Sequence, residues 1–433
     1  MNKVFPDLRK KIKTKQLKIA VVGLGYVGFP LALEFAGKNF RVTGIEIDSD
    51  RLKSIKENRS YISDISNNQL KTAKRRGNFS VSADFSSLKT ADVVLICVPT
   101  PLKRKRLPDI SYIKNAVRSV AKHVKSGVLV ILESTTYPGT SEEVILPLFE
   151  ERSLKHGKDF YFCFSPERID PGNKKFPVHK IPKVVGGISP TATQLATAVY
   201  RIIIKQVVPV SSARTAETVK LLENTFRLIN IGLIDELAMM AHKMKIDIWE
   251  VIQAASTKPF GFMPFYPGPG VGGHCIPKDP LYLLWKARSF GFNSRFIRLA
   301  SDVISFMPEY VVKRIKELFT LKGIKLSGAR ILVIGVTYKK DVRDLRKSPS
   351  IDIIDTLRKI GARVDYFDPV IPYLRFGKLD LKRAALNQVS RYDCVVIATD
   401  HSNIDYAFIL KNAKLIFDTR NVFKKAYRKV VKL

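Results

Sequence analysis

Short, unbroken apolar runs recur along the chain, each followed by a turn and then by apolar residues at helical spacing. Ile19–Val22 leads into a glycine turn at 23–28, "FPLALEFA" continues at helical period, and "RVTGIEID" starts a second extended run ending at Glu46. "ADVVLICVPTP" and "SGVLVILESTTYPGT" read as two further buried strands with turns at their ends. This alternation predicts an α/β, doubly wound sheet. From about Thr215 to Met244 the chain has no proline and one glycine. Val219, Leu222, Phe226, Ile229, Leu233 and Leu237 recur there in steps of three or four, predicting a long, well-buried helix. Past a helical stretch ending near Thr320, "GARILVIGVTYKKDVRDLRKSPSIDIIDTLRKIGARVDYFDP" repeats the strand–helix–strand plan, with Ser348 as cap and Pro349 in the first turn. "YDCVVIATDH" and "KLIFDTRN" add two buried strands. The expected organisation is an N-terminal α/β domain (1–210), a central helical domain (211–320) and a C-terminal α/β domain (321–433), with a cleft between domains.

The first turn carries specific chemistry. Gly23, Gly25 and Gly28 have the spacing GxGxxG between a strand and a helix. The first glycine makes the turn, the second lets a pyrophosphate reach the backbone, and the third lets helix and strand pack closely. Glu46, 18 residues after Gly28, stands where an acid accepts the ribose hydroxyls; its charge repels a 2′-phosphate, favouring NAD over NADP. Both α/β domains are therefore read as Rossmann-like. The second lacks the glycine fingerprint, since only Gly335 follows its strand. It offers instead Lys339, Lys340, Arg343, Arg346 and Lys347, suited to an anionic ligand such as a diphosphate. Ligands in such sheets lie beyond the carboxyl ends of the strands, which points to Thr100, Glu133, Ser134, Thr135 and Thr136; hydroxyls there also serve simply as helix caps. Lys220 and Asn224 share one face of the long helix, either as a solvated edge or as donors aimed into a cleft.

Composition narrows the classes. A chain of 433 residues with 45% apolar content exceeds one ordinary core. No apolar run approaches the ~18–20 residues needed to span a bilayer, and the basic start has no apolar signal core, so no transmembrane segment and a cytoplasmic location are expected. The net charge of +35, from 74 Lys and Arg against 39 Asp and Glu, implies attraction to anions. These cations are scattered, however, and no specific nucleic-acid partner is expected. Four cysteines make neither a disulfide framework nor a zinc pair, and no metal is expected. Cys97, Cys163 and Cys394 sit in apolar runs as small hydrophobes. Cys275 alone lies outside one, in "PGPGVGGHCIPKDP" (267–280), among glycines and prolines.

The glycine turn, "VPTPL", "ESTTYPGT", "FSPERIDPGN", "AETVKLLENTFRLINI", "PGPGVGGHCIPKDP" and "VTYKKDVRDLRKSPS" occur in the order seen in nucleotide-sugar 6-dehydrogenases. Over nearly its whole length the sequence resembles the UDP-glucose/GDP-mannose dehydrogenase family, and "KPFGFMPFYPGPGVGGHCIPKDP" most resembles its UDP-N-acetylglucosamine 6-dehydrogenases. The resemblance implies four-electron oxidation of a sugar C6 alcohol to a carboxylate, using two NAD per turnover and Cys275 as the nucleophile. It implies Lys220 and Asn224 as oxyanion donors, Asp279 beside the lysine and the hydrolytic water, and Thr136 and Glu167 as groups that position water or take protons. Cofactor contacts are implied for Gly23, Gly25, Tyr26, Val27, Gly28, Glu46, Arg51, Thr100 and Thr136. Substrate contacts are implied for Glu167, Lys220, Asn224, Phe265, Tyr266, Gly272, Lys339 and Arg346, with Lys278 either a substrate contact or solvated. His274 is a candidate to help hold the thiolate. Lys347 replaces the family's usual glutamate, Lys340 its common proline and Ser305 its common asparagine, which touches substrate contacts more than the reaction. The expected substrate is UDP-N-acetylglucosamine, for glycan synthesis, with UDP-N-acetylmannosamine or UDP-glucose as alternatives and a homodimer or higher oligomer as the assembly. A two-electron hydroxyacid dehydrogenase and a polyanion-binding scaffold are the readings from other classes.

Overall fold

The computed structural model describes residues 4–62, 65–103, 107–169, 176–273, 275–377 and 379–433; His274 and the last four residues of "FSPERIDPGN", 170–173, lie outside them. The chain forms two compact units, Met1–Glu223 with Leu281–Phe292, and Asn224–Pro280 with Asn293–Leu433.

Unit one contains, in order, α1 (Val4–Lys13), β1 (Lys18–Val22), α2 (Gly28–Gly37), β2 (Arg41–Ile45), α3 (Ser49–Lys56), α4 (Asn67–Arg75), β3 (Phe79–Ser82), β4 (Val93–Ile96), α5 (Ser111–His123), β5 (Val128–Leu132), α6 (Leu146–Glu150), β6 (Phe160–Phe164), β7 (Lys183–Gly187), α7 (Pro190–Tyr200) and β8 (Val207–Pro209). The eight strands are ordered β3-β2-β1-β4-β5-β6-β7-β8. All neighbours pair parallel except β6 and β7. The β1, β4, β5 and β6 residues are almost wholly buried, because helices cover both faces of the sheet. Register then sets the site. Val22 pairs with Ile45 and Ile96, Ile96 with Leu132, and Leu132 with Phe164. Gly23, Glu46, Cys97, Glu133 and Ser165 are the residues that follow, so one row at the carboxyl rim carries them all.

Two glycines of the turn are sterically required. Gly23 has φ +89°, and a Cβ there would sit 2.7 Å from the Cys97 carbonyl oxygen. A Cβ on Gly28 would collide with the Gly23 carbonyl oxygen, whereas one on Gly25 would meet nothing within 4 Å.

Helix α8 (Ala213–Lys243) enters unit two. Its expected buried apolar face is a correction: Leu222 is 62%, Phe226 45% and Leu233 52% exposed. The buried side carries Glu217, Lys220, Leu221, Asn224, Leu228, Asp235 and Ala238 instead. Helical spacing located the stripe, but spacing alone does not say whether a stripe faces a core or solvent. On the inner side Gly232 lets Ala300 approach; a Cβ there would lie 2.9 Å from the Ala300 Cα.

Unit two continues with α9 (Ile248–Ala255); α10 (Asp279–Arg288) begins there and passes at Leu281 into unit one, and unit two resumes with α11 (Arg295–Leu321), β9 (Arg330–Ile334), α12 (Pro349–Lys359), β10 (Arg363–Phe367), β11 (Tyr373–Phe376), β12 (Leu379–Lys382), β13 (Cys394–Ile397), α13 (Tyr406–Asn412), β14 (Ile416–Asp418) and β15 (Val430–Lys432). Its sheet, β10-β9-β13-β14-β15, is parallel throughout, with β11 and β12 as a separate hairpin. Met307, Val311, Ile315 and Phe319 of α11 join Ile353, Ile354 and Leu357 of α12 in one core. Ser348 takes the cap position of α12 as expected, but its hydroxyl does not cap the helix: Oγ is buried without a hydrogen-bond partner. Cys97, Cys163 and Cys394 are buried, and Cys275 is partly exposed.

Gly28→Ala is expected to lower the stability of unit one by about 1–3 kcal/mol through overpacking, with Gly25→Ala near neutral. Denaturant unfolding of both variants checks the contrast.

Candidate active site

In unit one the rim residues form a partly buried electrostatic network. Glu46 is buried, and its carboxylate accepts from the amides of Leu24 (3.1 Å), Ile47 (2.9 Å) and Asp48 (3.1 Å), with Arg51 Nη1 at 3.4 Å. Tyr26 is exposed at the turn, and Val27 precedes α2 without a side-chain cap. Buried Thr100 accepts at its carbonyl from the Tyr282 hydroxyl (2.9 Å). Thr136 is buried and its Oγ1 lies 2.6 Å from Thr140 Oγ1.

Glu167 is buried with Lys220 Nζ 3.6 Å from its Oε2, and its Oε1 accepts from the Ile169 amide. Burial raises its pKa; Lys220 and Lys183 pull it down, and Glu133 pushes it up. Beneath it, Glu133 accepts from Tyr200 Oη and from Lys183 Nζ, while Lys183 Nζ also sits 5.1 Å from the Tyr200 ring centre. A cavity of ≈ 20 Å³ lies among Glu133, Glu167, Lys183 and Tyr200, room for about one water. Lys183 and Tyr200 were missed in the sequence; the available signal was a cation opening an otherwise apolar run, "KVVGG", which becomes a buried strand.

Unit two brings together Asn224, Cys275, Lys278 and Asp279. Asn224 Nδ2 donates to Asp279 Oδ2 (2.6 Å), Arg227 donates to Asn224 Oδ1, and Lys278 Nζ is 3.7 Å from Asp279 Oδ1. The Cys275 carbonyl accepts from the amides of Lys278 (3.1 Å) and Asp279 (2.8 Å), a turn that leads into the start of α10. Lys278 is buried, which decides against a merely solvated lysine.

The glycine loop before Cys275 packs backbone against backbone on the 338–349 turn. A Cβ on Gly272 would strike Tyr338 Cβ and sit 2.6 Å from the Lys347 carbonyl oxygen. Gly273 has φ +77° and donates to the Arg346 carbonyl (2.8 Å). That turn carries Lys339 and Arg346, the latter engaged by Asp344 with Nε–Oδ2 at 2.9 Å. At the other end of the loop, Gly268 donates to Asp235 Oδ1 (3.0 Å), and a Cβ there would lie 2.7 Å from Arg420 Nη1. Burial pushes the Asp235 carboxyl up to about 8, although the Gly268 amide and Arg420 oppose the shift. Asp235 and Arg420 were also missed; Asp235 lies three helical turns from Asn224, and Arg420 stands just past the end of β14. Phe265 is half-buried, edge-on to Phe226 at 5.8 Å, and exposed Tyr266 stacks on Trp249 at 6.1 Å.

Two Rossmann-like units, the first with a dinucleotide turn, mark an NAD-dependent oxidoreductase. The fit is local: open space at Gly25 admits a pyrophosphate, and the Glu46 carboxylate at the end of β2 suits ribose hydroxyls. Comparison with known families assigns residues 17–204 to the NAD binding domain, 214–304 to the central domain and 332–425 to the UDP binding domain of the UDP-glucose/GDP-mannose dehydrogenase family. The chain belongs to this family and is an NAD-dependent nucleotide-sugar dehydrogenase. It is 38% identical to a UDP-N-acetyl-D-glucosamine 6-dehydrogenase of Pseudomonas aeruginosa, over 90% of this chain and 91% of that one. It is 37% identical to a UDP-N-acetyl-D-mannosamine dehydrogenase of Pyrococcus horikoshii, over 94% and 96%. The solved UDP-D-ManNAc dehydrogenase structure from Pyrococcus horikoshii superposes with a TM-score of 0.86 at 35% identity, covering 96% of this chain and 98% of that one. Among the described residues no helix is long and apolar enough to cross a membrane.

Asp235 yields a pH prediction. Its folded pKa of about 8 exceeds its unfolded value near 3.8, so between those values the folded state holds a proton that the unfolded state has lost. Its contribution to stability is therefore present at low pH and declines as pH rises toward 8. Asp235→Asn, which keeps an acceptor for Gly268, is expected to remove this slope, at most about 1.4 kcal/mol per pH unit. Guanidinium unfolding of both proteins at pH 5 and pH 8 checks it.

Proposed function

We propose that the chain oxidises the C6 alcohol of UDP-N-acetylglucosamine to the carboxylate, with Cys275 retaining the sugar between two oxidations. The carrying observation is the seat of the thiol loop, tied at Gly272 and Gly273 to the cationic turn of the same unit. A UDP-sugar held by its diphosphate at Lys339, Arg346 and the first turn of α12, where the Ser348 hydroxyl is buried and unpartnered, extends its sugar toward Gly272 and Cys275. The exposed Tyr266 ring is the one offered to the base, Phe265 being packed against Phe226.

NAD, seated at Gly23, Gly25, Tyr26, Val27, Gly28, Glu46, Arg51 and Thr100, supplies the hydride acceptor in each oxidation. The remaining work falls to side chains. Lys220 and Asn224, one turn apart on α8, donate to the oxygen on which negative charge develops. The Cys275 thiolate adds to the aldehyde carbon, giving a thiohemiacetal whose oxidation leaves a thioester, and water releases the acid and the thiol. In sum one alcohol, two NAD⁺ and one water become one carboxylic acid, two NADH and two H⁺. Glu167, which burial biases toward its protonated form, and Asp279, bonded to Asn224, pass the protons, and Thr136 orients water.

A second reading, oxidation of the C2 epimer UDP-N-acetylmannosamine, is supported by the similarity to the Pyrococcus horikoshii enzyme. The exposed Leu222, Phe226, Leu233 and Met240 of α8 support a homodimer formed along that stripe. The natural setting of such an activity is the cytoplasm, where uronic acid nucleotides feed glycan assembly.

Wild type is expected to yield two NADH per UDP-N-acetylglucosamine, and Cys275→Ser at most one with no acid. Asn224→Ala should lower kcat by about 10²–10³. Product analysis on a panel of UDP-sugars decides among substrates: reaction of UDP-glucose alone overturns the proposed sugar, and full acid yield from Cys275→Ser points to a two-electron dehydrogenase. The Phe226→Asp, Leu233→Asp pair should shift the protein from dimer to monomer in analytical ultracentrifugation; an unchanged mass removes α8 from the interface.

A further inference from the structure

Unit two contains a second cleft of ≈ 870 Å³, whose lining Trp249 stacks on Tyr266 from behind the loop that leads to Cys275. It is formed by the end of α8, the start of α9 and the segment 421–433. The volume is within the range of roughly 300–1,000 Å³ typical of small-molecule sites. Five cations line it, Lys245, Lys424, Lys425, Arg428 and Lys432, against two carboxylates, Asp247 and Glu250. Asp247 is already engaged, accepting from the Trp249 amide (2.9 Å) and lying 3.4 Å from Lys432 Nζ. Lys245, Lys424, Lys425 and Arg428 have no ion-pair partner among the described residues.

Holding four like charges on one concave surface is unfavourable unless an anion offsets them. The rest of the lining is not plain solvent-facing surface. Ala238, Ile248 and Leu433 are buried apolar contributions. Trp249 and Asn421, both more than nine-tenths buried, also belong to the lining, and the indole N–H of one and the amide oxygen of the other lie buried without hydrogen-bond partners.

We propose that this cleft binds an oligophosphate anion, separate from the NAD and UDP-sugar sites, with its phosphates on Lys245, Lys424, Lys425 and Arg428. Inorganic triphosphate and a nucleoside triphosphate share that chemistry. The nucleotide adds a base able to use the apolar lining.

Calorimetric titration of the full chain with tripolyphosphate and with ATP tests this, in saturating UDP and NAD so that the known anion sites are filled. One saturable site per chain is expected, weakened at least tenfold in Lys424→Glu, Arg428→Glu and unchanged in the control pair Lys71→Glu, Arg75→Glu on α4. ATP binding more tightly than tripolyphosphate assigns the site to a nucleotide, and equal affinities assign it to inorganic oligophosphate. Absence of saturable binding, or equal loss in both double variants, overturns the proposal as nonspecific attraction to a basic protein. The readout is binding, so its failure leaves the proposed oxidation untouched. Unchanged thermal midpoints verify that the variants remain folded.

Discussion

Close approach of two backbones fixes where the thiol stands. Gly272 and Gly273 leave no room for a side chain against Tyr338 and the Lys347 carbonyl, and Gly273 adds a hydrogen bond to Arg346. Cys275, two residues on, is consequently positioned by the turn that carries Lys339 and Arg346. The covalent step proposed at the sugar carbon tolerates little misplacement, and a loop alone would be too mobile to provide it. Anchoring comes from both ends: Asp235 and Arg420 crowd Gly268, and the Cys275 carbonyl accepts the first amides of α10. Small residues here are the condition for rigidity, since each missing side chain lets main chain meet main chain.

Helix α8 shows how the chain tolerates buried charge. Its inner side holds Glu217, Lys220, Asn224 and Asp235, each met by a defined partner. Glu217 accepts from the Gly139 and Ser141 amides, with burial moving its carboxyl up to about 7. Lys220 faces Glu167, Asn224 bonds Asp279, and Asp235 takes the Gly268 amide. Buried ionisable groups cost folding free energy even when paired, so such a stripe is retained where chemistry needs it. With polar groups on the inner side, the apolar side chains of the same helix face outward. One helix therefore carries both a buried polar interior and an apolar exterior.

Legibility in the sequence followed distance along the chain. The turn at Gly23–Gly28 and the acid at Glu46 are local, and strand register needed only the next apolar runs to place them. The thiol stood out because its surroundings, glycines and prolines, are unlike those of Cys97, Cys163 and Cys394. Lys220 and Asn224 shared a helical face by arithmetic. Lys183 left only the trace of a cation opening an apolar run, and Tyr200 and Arg420 were not legible, since each becomes significant only when a strand or helix from elsewhere in the chain arrives beside it. The outward stripe of α8 failed for a different reason: periodicity reports that a helix has an apolar side, and nothing in it distinguishes an intramolecular core from an exposed surface. The Ser348 hydroxyl follows the same limit, correct in position and silent about its bond.

Charge near the proposed chemistry and charge over the whole molecule obey different rules. Lys220 has Glu167, Lys183 has Glu133, Lys278 has Asp279 and Arg346 has Asp344, so these cations contribute little to the net +35 once their partners are counted. Pairs such as Lys183 with Glu133 are buried, and salt screens them weakly. The excess cations are mostly exposed, and their field decays over about 8 Å at physiological ionic strength. They can raise the encounter rate of a diphosphate-bearing substrate without altering how it is turned over. Each buried acid holds its lysine's charge within a short radius, which leaves orientation in the proposed site to hydrogen-bond geometry. The long-range attraction and the short-range positioning are therefore separable properties of one strongly basic chain.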